Sequence, residues 1–93
     1  MSNAWIDVNR LSAMSKALAH PARIAILREL AESGDRNCVD LTRQADLAQS
    51  TVSEHLRVLK EAGLIDQCGP GPRSGYCINR EGLLSLKQMI VAL

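Results

Sequence analysis

Gln49, Ser50, Thr51 and Ser53 stand close together in this chain, and Arg57 and Lys60 follow them. Amide, hydroxyl and guanidinium groups are the ones that match donor and acceptor patterns on base edges: glutamine pairs with adenine, arginine with guanine, serine and threonine with several groups. At the start of a helix the same side chains also suit phosphate, because first-turn amides attract anions. The plainer alternative is a solvated turn in which Thr51 and Glu54 form a capping box.

The remaining reactive side chains are few. Cys38, Cys68 and Cys77 are odd in number in a chain without an export signal, so reduced thiols are expected rather than a secreted disulfide framework. Cys68 and Cys77 flank the glycine- and proline-rich run G-P-G-P-R-S-G and could face each other across a hairpin at disulfide distance. Three roles stay open for them: a thiol switch, a soft-metal or arsenite site shared with Cys38, or small apolar side chains within strands. His20 precedes Pro21 and is expected to cap a helix, and His55 to pack beside the core. Neither histidine has an aspartate or cysteine companion by spacing, so no catalytic arrangement is expected.

The elements that must carry these groups follow from apolar periodicity. Val52, Leu56 and Leu59 fall on one helical stripe, which leaves the polar set on the opposite face. Gly63 stops that helix, because the last carbonyls need a left-handed residue. Upstream, Leu41 and Ala45 mark a shorter helix from about Val39, and Asp46 to Gln49 give the tight connection of a helix-turn-helix. A first helix is expected over Trp5 to Leu18. A second starts at Pro21, buries Ile24, Leu27, Leu30 and Ala31, and ends at Gly34. Asp35 to Val39 could form a short strand. Leu64 to Cys68 and Tyr76 to Asn79 read as two strands around a protruding loop, with Tyr76 packed on the domain, and Asn79 caps a final helix.

Taken together, A-Q-S-T-V-S-E-H-L-R-V-L-K-E-A-G-L-I, with H-P-A-R-I-A-I-L-R-E-L before it and G-P-R-S-G-Y-C-I-N after it, resembles the ArsR/SmtB family of winged-helix repressors. The resemblance runs from about Leu11 to the C-terminus. It implies a mainly α fold with a small β-hairpin wing: a winged helix-turn-helix of about five helices and two to three short strands. It further implies that Gln49, Ser50, Thr51, Ser53, Arg57 and Lys60 face double-stranded DNA, with Arg73 in the wing touching the minor groove or a phosphate.

Relatives often have serine where Ala48 stands here, which removes the usual capping oxygen. Many sense metals through a C-x-C pair before the third helix or through Asp, His and Glu on the last one. This chain has Cys38 alone at the first position and Glu81 as a lone carboxylate at the second. No cofactor is therefore required, and the effector, metal or thiol-reactive, stays open.

The terminal helices carry apolar area in excess, through Trp5, Val8, Leu11, Leu83, Leu86 and Ile90. Burial against a second copy would stabilise by roughly 25 cal/mol per Å², and the resemblance implies a two-fold homodimer. Covering the domain's own core is the alternative. A length of 93 residues fits one domain, spanning 5–93 after a disordered end or cloning scar at 1–4. With Trp5 and Tyr76 as its aromatics, the core must be aliphatic. The net charge of +1 neither favours nor opposes nucleic acid. No apolar run approaches the roughly 20 residues that cross a bilayer, so a cytoplasmic location is expected. A winged helix used for protein contacts alone would carry apolar anchors on the exposed helix face in place of Ser, Thr, Gln and Arg.

Overall fold

The computed structural model describes residues 6–34, 38–69 and 75–93. Trp5, Arg73, residues 35–37 and the side chain of Cys38 lie outside that description.

Helix α1 (Val8–Leu18) begins later than its apolar pattern predicts, because Asp7 caps it by accepting from the Arg10 amide at 3.0 Å. Helix α2 (Pro21–Ser33) starts at the expected proline, and the His20 Nδ1 caps it by accepting from the Ala22 amide at 3.1 Å. Gly34 ends it at φ 76°, donating to the Leu30 carbonyl. Its buried stripe differs from the expected one: Ile26, Leu27 and Leu30 are inside, whereas Ile24 and Ala31 are exposed. The true stripe is Arg23, Ile26, Leu27 and Leu30, four positions at perfect helical spacing. Its first member is an arginine turned inward, which hydrophobicity alone passes over.

Helix α3 (Cys38–Ala45) takes in Cys38 and Val39, so the strand expected to end there is not formed by those two residues. Asp46 then adopts φ 53°, a left-handed step that reverses the chain within three residues before helix α4 (Gln49–Glu61). In α4, Val52, Leu56 and Leu59 are fully buried, as their spacing predicts. The helix ends in a Schellman motif: Gly63, at φ 82°, donates to the Lys60 carbonyl and Leu64 to the Leu59 carbonyl, both at 3.0 Å. Leu59 and Leu64, which bracket the motif, are both buried.

Strands β1 (Ile65–Cys68) and β2 (Gly75–Ile78) pair antiparallel, with Ile65 opposite Ile78 and Cys68 opposite Gly75. β1 starts one residue later than expected and ends where expected, and β2 is shifted one residue toward the N-terminus. Leu64 and Asn79 stand just past the ladder, where the Asn79 amide donates to the Leu64 carbonyl at 3.0 Å. Among the described residues this two-stranded sheet is the whole of the β-structure. Ile65, Tyr76 and Ile78 turn one face of it onto the core, so Tyr76 is anchored as expected.

Helix α5 (Arg80–Ala92) is capped by Asn79, whose Oδ1 accepts from the Gly82 amide at 2.9 Å. All five helices and the hairpin close around one aliphatic core, which includes Met14, Leu27, Leu41, Leu56, Ile65, Leu86 and Met89. Leu86, expected on an open face, is 2% exposed and belongs to that core, and Leu11 and Leu83 are partly buried against it. Among the described residues, the large apolar side chains left open on the terminal helices are Val8 on α1, Leu84, Ile90 and Val91 on α5, and Leu93 at its end, while Ile24 on α2 and Leu47 before α4 are exposed as well.

Candidate nucleic-acid interface

The core fixes which way α4 faces. With Val52, Leu56 and Leu59 inside, Gln49, Ser50, Thr51, Ser53, Arg57 and Lys60 are all exposed. Residue 48 is the N-cap, and as alanine it makes no side-chain cap. The amides of the first turn therefore lack the oxygen that a serine would bring and are suited to an anion from outside. The alternative of a capping box between Thr51 and Glu54 does not hold, because Thr51 lies inside the helix rather than at its N-cap, and the Glu54 carboxylate has another partner.

That partner is Arg57. Its Nε donates to Glu54 Oε2 at 2.9 Å, its Nη2 donates to Glu54 Oε1, and its Nη1 donates to Glu61 Oε2 at 2.8 Å. Three exposed side chains at i, i+3 and i+7 thus form one ion cluster on the helix surface. The guanidinium holds the Glu54 carboxyl below its usual range, chiefly by direct hydrogen bonding, and the two carboxylates reinforce the charge on Arg57. Exposed pairs of this kind contribute little to stability, so phosphate can displace them. Arg57, expected to face DNA, is exposed but also restrained by two carboxylates of its own helix. The spacing of Glu54, Arg57 and Glu61 was visible in the sequence and would have shown this.

Lys60 reaches forward to β1, where its Nζ donates to Gln67 Oε1 at 2.9 Å. Gln67 is exposed and had not been singled out from sequence, since no short-range spacing links it to Lys60.

Behind α4 lies a polar contact inside the domain. His55 is 6% exposed, its Nδ1 accepts from Arg23 Nε at 3.1 Å, and its ring lies 4.5 Å from that of His20. Burial first, then the neighbouring His20 and Arg23, pushes the pKa of His55 down, so it is neutral in the fold. It packs beside the core, as expected, and its acceptor nitrogen fixes α2 against α4. Among the described residues, no three His, Cys, Asp or Glu side chains gather closely enough to hold a metal ion.

On the hairpin, Cys68 and Cys77 lie diagonally across the ladder with Cα atoms 6.0 Å apart, and their sulfurs are joined. The register puts both side chains on one face within bonding reach, as expected of two cysteines that flank the hairpin loop, and the pair is joined rather than left as two reduced thiols. No helix among the described residues is long and apolar enough to cross a membrane.

Residues 18–68 match the family model of a helix-turn-helix domain. The chain is 36% identical over 77 residues to the HTH-type transcriptional regulator YgaV of Escherichia coli K12, covering 83% of this chain and 78% of that protein. It is 41% identical over 73 residues to the arsenical resistance operon repressor of Bacillus subtilis, covering 75% and 70%. Among solved structures, it is similar to the homodimeric winged helix-turn-helix DNA-binding domain of a possible ArsR-family regulator from Mycobacterium bovis, with a TM-score of 0.74 and 28% identity over 99% of this chain and 87% of that one. The fold of another ArsR family regulator matches with a TM-score of 0.81 at 23% identity, over 94% and 89% of the two chains.

Proposed function

The chain belongs to the ArsR family of winged helix-turn-helix transcriptional regulators, and from that premise we propose that it represses transcription by seating α4 in the major groove of a pseudo-palindromic operator as a homodimer. The observation that carries this reading is the division of α4: a fully buried back of Val52, Leu56 and Leu59 behind an exposed front of amide, hydroxyl and cationic side chains. A major groove admits one helix, and its base edges call for that chemistry. Arg57 and Lys60 serve phosphate or guanine, Gln49, Ser50, Thr51 and Ser53 serve base edges or phosphates, and Arg73 of the wing sequence, outside the described residues, is assigned to the minor groove or a phosphate.

A second copy docks on α1 and α5. Val8, Ile90 and Val91 are 73%, 50% and 86% exposed, more apolar surface than a lone small domain leaves open. Two α4 helices related by a dyad then address half-sites about one helical turn apart, roughly 34–36 Å, or a multiple of that. Bound there, the dimer excludes the polymerase from the promoter.

The test is a gel shift and footprint on the DNA upstream of the chain's own gene. A discrete, protected, two-fold-related site that resists competitor DNA is the expected result. Equal affinity for upstream and unrelated duplexes would sink the reading.

A further inference from the structure

The hairpin carries a feature that DNA binding does not use. Cys68 is the last residue of β1, and the residue opposite it is Gly75, which has no side chain. The outermost pair of the ladder therefore lacks the cross-strand side-chain contact that stabilises a sheet. A ribbon of two four-residue strands is marginal without such contacts. The contact is supplied diagonally instead, by Cys68 to Cys77. Both cysteines are half-buried and line a cleft of about 530 Å³ together with Asp66, Leu30, Gly34 and Arg80. Small thiols and peroxides can enter it. Reducible disulfides are the accessible ones, while structural ones are shielded.

We infer that Cys68 and Cys77 form a reversible dithiol–disulfide couple that clamps the distal end of the hairpin and so sets how tightly the protein holds DNA. The couple balances with a hydroperoxide as oxidant. One thiolate attacks the peroxide oxygen, the O–O bond breaks, and a sulfenic acid and water (or the alcohol) form. The second thiol attacks the sulfenic sulfur, the S–O bond breaks, water leaves and the S–S bond forms. Two electrons pass from sulfur to peroxide. A cellular thiol reverses the step through a mixed disulfide, and two such thiols end as their own disulfide. A protein working on DNA works among reducing thiols, where a bond of this kind forms on demand.

The consequence for DNA rests on the repressor reading. The bond joins β1 to β2 at the loop end of the ladder, between residues nine positions apart in sequence. Fewer conformations are then lost when the hairpin meets the duplex, so the oxidised form is the tighter binder.

The test uses the wild-type full chain, oxidised with hydrogen peroxide or reduced with dithiothreitol and kept native. Thiol titration and peptide mapping are expected to show two thiols lost per chain, a Cys68–Cys77 cross-link within one chain, and full recovery on reduction. The oxidised protein is expected to bind the footprinted site about three- to tenfold more tightly. Cys68→Ser and Cys77→Ser should each abolish the difference. A cross-link that forms only after denaturation, or equal affinity in both redox states, overturns the inference. If no DNA site is found at all, the repressor reading fails, while the thiol mapping still decides whether the couple exists.

Discussion

Gly82 lies so close to Gly63 that a Cβ on residue 82 would fall well inside contact distance of the Gly63 carbonyl oxygen. The first turn of α5 thus rests backbone to backbone on the turn that ends α4. Gly63 is itself in the left-handed region that its Schellman motif requires. The neighbouring Asn79 adds two hydrogen bonds to the same corner, one to Leu64 and one to Gly82. The end of the proposed reading helix and the start of the proposed dimer helix are thereby one joint.

Gly82→Ala is expected to destabilise the fold by about 1–3 kcal/mol, because the obstructing atom is backbone and cannot rotate away. Urea denaturation measures it. Operator affinity should fall with it, even though residue 82 touches no DNA in the proposed complex. Wild-type stability in this variant would mean that the corner relaxes freely.

Glu54→Gln removes one of the two carboxylates that restrain Arg57, along with a negative charge on the proposed DNA face. Binding is expected to strengthen, and the dependence of log Kd on log salt to steepen by about one ion. Arg57→Ala should do the reverse. Since all three side chains are exposed, folding stability should hardly move in either variant. A Glu54→Gln protein that bound more weakly would show that the carboxylate accepts from a base.

Ala48→Ser is expected to stabilise the fold by about 0.5–2 kcal/mol, since it restores a missing N-cap oxygen to α4. The new hydroxyl would compete with phosphate for the same amides, so affinity should rise less than stability. Thermal melts and binding isotherms on one preparation compare the two.

His55 is expected to make the fold less stable in acid. Its pKa in the fold is below the ordinary histidine value of about 6.5. The neutral ring's contribution is complete above that value and is lost as pH falls through the depressed pKa. Protonation also places a proton on the nitrogen that accepts from Arg23, or a second cation beside it. The melting temperature should therefore drop between pH 7.5 and 5.5, and His55→Gln, which keeps an acceptor for Arg23, should flatten that slope. An unchanged slope would assign the acid sensitivity elsewhere.

Much of this was legible in the sequence wherever one local rule governed. The stripe of α4, the stop at Gly63 and the caps by His20 and Asn79 follow from spacing and from side chains that satisfy helix ends. The stripe of α2 was misread because Arg23 occupies an inward position, and its partner His55 is thirty-two residues away. Leu86 could not be told from Ile90 by period alone, since α5 is apolar over most of its circumference and packing decides which side is covered. The ion cluster of Arg57 with Glu54 and Glu61 was legible in the helical spacing but was not drawn, because Arg57 was weighed against DNA alone. The strand expected up to Val39 gave way at Cys38 and Val39 to helix, where β-propensity is a weak guide.

The bond between Lys60 and Gln67 has one more consequence on the proposed reading. It joins the last turn of α4 to the first strand of the hairpin and, together with the main-chain turn between them, sets the distance between the two parts that would grip the duplex. A protein with a fixed span can discriminate among sites by how readily the double helix narrows or bends to fit it. Base pairs that no side chain reaches would then still influence where it settles.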